Sequence, residues 1–306
     1  MTSPRPRLAG VDPLALGFIA FAAVLHAAWN ILLKTAGDPL RTATTGVVAA
    51  SAVLVPLVLV SWLLTGRPQV PPAAWVIGIA SGGVEVAYFV FLAAAYRRSD
   101  LSVVYPLARG SAPLLAVAIG VLVLGERLSP PAWLGVGLLL AGLLVVQRPW
   151  RLLGTTGPER AGAGFALLAG AMIATYSSLD RVGVQQAPPW LYAAILWPAC
   201  ALGLLVVAWA RPRIAGGAYA PPDVPLDVPR AVAGGLLTFT AYGFVLAALA
   251  RAPLAIVAPL RESAVLLASA WGVVRLGEAV GRREAGLRIA GSLLVLAGAV
   301  VLATAG

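Results

Sequence analysis

Hydrophobic and polar positions alternate along this chain on a long period. Apolar runs of about 20 residues are separated by short breaks that carry Pro, Gly or charge. The runs fall at approximately 14–33, 42–64, 73–96, 101–124, 130–147, 162–182, 189–210, 230–250, 254–275 and 285–304. At a helical rise of about 1.5 Å per residue each can cross a hydrocarbon layer roughly 30 Å thick, so the pattern predicts ten transmembrane helices. Arg5 and Arg7 ahead of the first run imitate a signal peptide, but the run is span-length and Asp12-Pro13 is a helix start, which predicts a retained first span. The longest polar stretches are Arg148 to Arg160 and Arg211 to Arg230. The first divides the chain near its midpoint into a five-helix unit at 1–147, a linker at 148–161 and a second five-helix unit at 162–306.

The two units repeat one another. Tyr105-Pro106-Leu107-Ala108-Arg109-Gly110-Ser111, Gly125-Glu126, Gly135 and Ala141-Gly142 return as Ala258-Pro259-Leu260-Arg261-Glu262-Ser263-Ala264, Gly277-Glu278, Gly291 and Ala297-Gly298. Pro106 matches Pro259, and Arg109 falls opposite Glu262. A unit this long is a duplicated half-domain rather than a solenoid element, and an odd number of spans per unit forces the second to enter the membrane in the opposite sense. The fold class expected is an all-α polytopic membrane protein, ten helices as two inverted five-helix repeats around a central cavity. Lys34, Arg41, Arg97, Arg98, Arg148, Arg151, Arg160, Arg211, Arg213, Arg230, Arg282 and Arg283 share one side, against Arg5, Arg7, Arg67, Arg127, Arg181 and Arg251 on the other. Taken literally, the positive-inside rule puts both termini outside the cytoplasm.

Composition agrees with the pattern. With 60% hydrophobic and 11% charged residues the chain has too little polar surface to coat a globule in water. Its formal charge of +10 is scattered between apolar runs without a basic stripe, which suits phospholipid headgroups and argues against a nucleic-acid partner. The single cysteine, Cys200, excludes an intrachain disulfide framework and reads as a small buried hydrophobe.

Charges within the spans are the candidate chemistry. Glu85, Arg109, Arg261 and Glu262 lie well inside apolar runs, where an ionised group costs roughly 2.5–3.5 kcal/mol at a helix centre, so they are expected to face the protein interior. Two acids and two bases allow complete pairing, either as a structural cluster or as a substrate and proton site. His26, Asn30 and Lys34 form one polar stripe, Ser81, Glu85 and Tyr88 a second, and Tyr105 with Arg109 a third. Tyr176 with Asp180, and Thr238 with Tyr242, repeat the four-residue spacing in the second half. Converging stripes predict a hydrated cavity. His26 also reads as a hydrogen-bonded packing histidine, and Lys34 and Asp180, near span ends, as interfacial anchors. Trp29, Trp75, Trp133, Trp190 and Trp209 read as headgroup-belt residues. Pro106 and Pro259, each just before a charge, are hinge candidates or static kinks. The glycine pairs 135/142 and 291/298 open a smooth face for close packing within the chain or between copies.

These motifs, together with His26-Ala27-Ala28-Trp29-Asn30 through Lys34 and Gly125-Glu126-Arg127-Leu128, resemble the EamA family of the drug/metabolite transporter superfamily over nearly the whole chain. The resemblance implies a cavity lined by the first four helices of each half, peripheral fifth helices, and secondary transport, usually export, of amino acids, related metabolites or drugs. The second copy departs from the first in lacking the Tyr-Pro pair and the Arg-Gly step, so the half-sites are chemically unequal.

The expected function is therefore that of a secondary active exporter of a small polar metabolite such as an amino acid or related compound, working by alternating access with proton coupling in the cell (inner) membrane, as monomer or homodimer. Candidate substrate contacts are His26, Trp29, Asn30, Tyr88, Tyr105, Arg109, Tyr176, Tyr242, Arg261 and Glu262. Arg109 and Glu262 should neutralise each other, leaving Arg261 for Glu85 or for an anionic group on the solute. Glu85 has no base on its own helical face and is the candidate proton-coupling residue. The alternative is an intramembrane enzyme, which would need a positioned nucleophile, a metal site or a phosphate loop. The sequence has no Walker pattern, no HExxH and one histidine, so no cofactor is expected and energy must come from a gradient. A structural scaffold would not require charges in the membrane core.

Overall fold

The computed structural model describes residues 12–35, 38–99, 101–148, 157–215, 225–262 and 282–304. Among these residues the regular structure is helical, in ten segments. They are α1 Pro13–Thr35, α2 Pro39–Leu64, α3 Pro72–Tyr96, α4 Leu101–Leu122, α5 Pro130–Gln147, α6 Gly157–Gly183, α7 Pro189–Ala215, α8 Val228–Leu249, α9 Leu254–Arg261 and α10 Arg282–Thr304. Several starts are written in the sequence, because proline suits the first turn and a preceding oxygen caps it. Asp38 accepts from Arg41 N at 2.9 Å ahead of α2, Ser129 from Ala132 N at 3.4 Å ahead of α5, and Asp227 from Arg230 N at 3.1 Å ahead of α8.

Pro39–Leu64, Pro72–Tyr96, Arg160–Gly183, Pro189–Arg211 and Val228–Leu249 are long and apolar enough to cross a bilayer. Pro13–His26, Leu107–Leu122, Pro130–Val146 and Ile289–Thr304 are shorter apolar stretches. The surface inverts that of a water-soluble protein. Large side chains such as Leu57, Val76, Leu122, Leu202 and Leu293 point outward, while much of the buried set is alanine, including Ala15, Ala22, Ala50, Ala74 and Ala116. Small residues let helix backbones approach where lipid offers no hydrophobic drive for association, and large apolar ones meet acyl chains. The protein is a multi-pass membrane protein. Of the belt candidates, Trp75, Trp133 and Trp209 are exposed near helix ends. At one such end Arg97, just past α3, is held below the usual guanidinium range by partial burial and then by the charge of Arg211.

The main packing partners cross between the repeats. α3 lies on α6 and α7, and the corresponding α8 lies on α1 and α2. α2 meets α7, α4 meets α9, and α5 meets α10. Exchanging each helix for its counterpart five positions on maps this set onto itself, which is the pattern of a pseudo-twofold axis. The glycine face of α5 is consumed in this arrangement. A Cβ on Gly142 would lie 2.6 Å from Gly291 O, and one on Gly298 2.6 Å from Gly135 O. Of the two uses considered for that face, the fold adopts packing within the chain.

Candidate functional site

α4 of the first repeat and α9 of the second bring their charges together. Arg109 Nη1 donates to Glu262 Oε1 at 3.1 Å and lies 3.4 Å from Oε2. Arg261 Nε donates to the same Oε1 at 3.3 Å, and its Nη1 reaches Ser177 Oγ on α6 at 3.4 Å. Glu262 is 2% exposed and therefore serves two guanidiniums away from water. Pro259 lies inside α9, and the backbone N–H of Glu262 donates to its carbonyl at 3.2 Å, tightening the turn that presents the carboxylate. Of the two partners left open for Arg261, Glu85 or an anionic group on the solute, neither takes its Nε. Arg261 is turned to the acid next to it in sequence and to Ser177.

Asp180 corrects a second expectation. Its place near the end of the sixth run suggested an interfacial anchor, yet it is 0% exposed. Its carboxylate accepts from Ser81 Oγ at 2.5 Å and Tyr192 OH at 2.9 Å, and also from Tyr242 OH. The donors come from α3, α7 and α8. α6 runs on to Gly183, and the first turn of α7 folds Tyr192, itself fully buried, back over the acid. Three hydroxyl donors satisfy a carboxylate without a formal counter-charge in contact.

Glu85 lies one turn beyond Ser81 on α3 and is also buried. Cys200, buried on α7, lies beside it. Full pairing of two acids with two bases is thus replaced by a different arrangement among the described residues. Two guanidiniums converge on Glu262, Asp180 rests on hydroxyls, and Glu85 faces a thiol. His26, on α1, points Nδ1 at Ala22 O at 3.1 Å, which assigns the proton to that nitrogen because a carbonyl can only accept.

An aromatic row runs beside these charges. Tyr88 and Tyr176 have ring centroids 6.0 Å apart, and Tyr176 and Tyr242 5.8 Å, both edge-to-face. Trp197 continues the row, 6.1 Å from Tyr242 and stacked at 3.5 Å on Phe239. Of the candidate contacts, His26, Tyr88, Arg109, Tyr176, Tyr242, Arg261 and Glu262 gather with Glu85 in the interior. Trp29, Asn30 and Lys34 lie on α1 and Tyr105 and Pro106 on α4, with side chains outside the described set, as are Ser263, Ala264, Gly277 and Glu278 altogether. Tyr192, Trp197 and the adjacency of Cys200 to Glu85 were not singled out from sequence. Asp180 was seen as half of a stripe and as an interfacial anchor. Among the described residues no group of three His, Cys, Asp or Glu side chains could hold a metal ion.

With that geometry in hand, comparison with known proteins is informative. The model of the EamA-like transporter family matches residues 13–148 and again 160–304. The spermidine export proteins MdtI of Salmonella paratyphi B and Salmonella newport are each 40% identical over 70 residues, 23% of this chain and 64% of theirs. The chain thus spans less than two thirds of the length of these relatives. A crystal structure of a protein 21% identical in sequence superposes with a TM-score of 0.69 over 96% of this chain and 98% of that one, which establishes likeness of fold.

Proposed function

The chain belongs to the EamA-like transporter family, and from that premise we propose that it is a secondary active exporter of a small polar metabolite such as an amino acid. Transport proceeds by alternating access across the cell (inner) membrane, through ten spanning helices around a central pathway, and is coupled to protons. The observation that carries this reading is the unequal charge set in the interior. Among the described residues of this cluster, three buried carboxyls, Glu85, Asp180 and Glu262, accompany two guanidiniums, buried Arg261 and mostly buried Arg109. One carboxyl beyond balance needs a proton or a cation to be tolerated in a low-dielectric core.

Donor counts indicate which carboxyl that is. Glu262 has two guanidiniums and Asp180 three hydroxyls, whereas Glu85 has the thiol of Cys200 beside it, a weak donor by its chemistry. Glu85 is the group that takes and releases the coupling proton. The arginines receive the carboxylate of the solute in exchange for Glu262, and the tyrosine row with the hydroxyl-held Asp180 receives its ammonium group. Pro106 and Pro259 are the hinges. His26, Trp29, Asn30 and Tyr105 complete the lining. A polyamine is the second reading, favoured by the surplus carboxyl and by the spermidine export proteins among the relatives.

Reconstituted liposome flux tests the proposal. Protein in sealed vesicles is given an imposed pH gradient and a panel of radiolabelled amino acids and spermidine. The wild type should accumulate a member of the panel, and Glu85→Gln should bind it while failing to concentrate it. Retained gradient-driven accumulation in the glutamine variant would remove Glu85 from the coupling role. Failure of the wild type to move any solute would remove the transport reading.

A further inference from the structure

The Gly125-Glu126 motif has no part in the site above, yet it makes a specific contact between the repeats. Gly125 adopts φ +67°, the left-handed region that favours glycine, and turns the chain sharply after α4. Glu126 N donates back to Gly120 O at 2.9 Å. The turn delivers the Glu126 carboxylate to the first turn of α9, where it accepts from Leu254 N at 2.7 Å and Ala255 N at 2.9 Å. These are two of the N–H groups a helix start leaves unsatisfied, and a carboxylate there also complements the helix dipole. Glu126 is far from them in sequence and belongs to the other repeat, so this is a cap supplied in trans by the opposing half.

A cation completes the arrangement. Arg181, at the end of α6, places Nε 3.3 Å from Glu126 Oε1 and donates from Nη1 to Leu249 O at 2.5 Å, on the last turn of α8. Gln185 Nε2 reaches Ala250 O at 3.2 Å. The α8–α9 turn is thus held at both ends, with a guanidinium on the C-terminus of α8 and a carboxylate on the N-terminus of α9. Arg251 within the turn also pairs with Asp12 ahead of α1, at 3.3 Å. Gly120 leaves room for the contact, since a Cβ there would lie 2.5 Å from Glu126 Oε2 and 3.3 Å from Ala255 N. By the antiparallel order of the helices, the start of α1 and the ends of α2, α4, α6 and α8 share one face of the membrane.

We propose that Glu126 is the latch of this face. Its cap on α9, braced by Arg181, keeps the second repeat closed against the end of α4, and release of the two N–H groups is the step that opens the pathway on this side. The proposal rests on the transport reading for the existence of a pathway. Glu126 touches neither arginine of the interior site, and its action on transport runs through the position of α9.

Cys200 is the single cysteine and lies buried against Glu85, so its alkylation reports access to the interior without any knowledge of the solute. Full-length protein in right-side-out and inside-out membrane vesicles is treated with a small membrane-impermeant thiosulfonate. The face is marked separately by Thr65→Cys in a Cys200→Ala background, since Thr65 is exposed in the α2–α3 turn on the same side. A cap of this kind shifts a two-state balance on the order of ten-fold. Glu126→Gln should therefore raise the rate of Cys200 modification about ten-fold from the Thr65 face and leave the opposite face unchanged. Glu126→Asp should fall between it and wild type. The exchange Glu126→Arg with Arg181→Glu should not restore protection, because a guanidinium cannot accept from two backbone N–H groups, whereas a simple ion pair would be restored. Where the glutamine variant does not fold, Gly120→Ala displaces the carboxylate with every charge retained and should give the same one-sided increase. Unchanged rates, equal acceleration from both faces, or rescue by the exchanged pair would overturn the latch. If wild-type Cys200 reacts from neither face, the pathway itself is in error, a result distinct from these.

Discussion

Removing Glu262 should cost more than removing Arg109, and removing both should cost less than their sum. The ordering follows from the contacts. Glu262 stands between two guanidiniums, 3.1 Å from Arg109 Nη1 and 3.3 Å from Arg261 Nε. Glu262→Leu leaves both positive charges buried and facing one another, a loss in the range of roughly 3–5 kcal/mol for a broken buried pair. Arg109→Leu leaves Glu262 still bound to Arg261, so the cost is closer to a lost charge-assisted hydrogen bond, about 1–3 kcal/mol. In the double variant Arg261 remains alone and keeps Ser177 Oγ at 3.4 Å as an acceptor. The double variant should therefore be no worse than Glu262→Leu, with a coupling of about 1–3 kcal/mol. Unfolding of the purified protein in mixed micelles by titration with a denaturing detergent, completed as a double-mutant cycle, measures each corner. Additivity to within about 0.5 kcal/mol, or Arg109→Leu exceeding Glu262→Leu, would refute the shared-carboxylate argument.

Tyr192→Phe and Tyr242→Phe each remove one donor from buried Asp180 and should lower stability in the same assay by about 1–3 kcal/mol. A loss below 0.5 kcal/mol, taken as roughly the noise of such comparisons, would mean that the hydroxyl cage is not holding the acid. Gly142→Ala drives a methyl group to within 2.6 Å of Gly291 O and should lower the melting temperature through an overpacking cost of about 1–3 kcal/mol, with an unchanged melting temperature counting against the α5–α10 contact. Arg251→Ala, by contrast, breaks an exposed pair with Asp12 and should alter stability by no more than about 1 kcal/mol.

Much of the site was legible before the structure because inverted duplication sets depth as well as order. Aligning the repeats put Arg109 opposite Glu262, and the two side chains touch. Four-residue spacing on α3 and α6 likewise drew attention to Ser81, Glu85, Tyr176 and Asp180. What it could not supply was the depth of Asp180, because distance from the end of an apolar run measures position along one helix and not what folds over it. Tyr192, a few residues into α7, closes that end. The contact of Arg261 with Glu262 went unseen for a related reason, since a helical wheel places side chains on faces but does not rank a neighbouring carboxylate against a distant one. The role of Glu126 was invisible because its partners lie on the other repeat, and nothing near it in sequence marks a helix start 128 residues later.

The exchange of partners between repeats has a consequence for biosynthesis. Arg109 and Glu262 are separated by 153 residues, an interval of roughly 8 to 30 s at a synthesis rate of about 5–20 residues per second. Once α5 ends at Gln147 the first five helices are made, while the partners of α1, α2 and α5 lie on helices still to be translated. The nascent half must therefore wait in the bilayer without Glu262 and with faces shaped for neighbours that do not yet exist. A ribosome halted between the repeats would release a chain inserted correctly but unable to finish folding. Membrane quality control should recognise such a half-protein by its uncovered inter-repeat faces, and a separately expressed second half should be able to complete it.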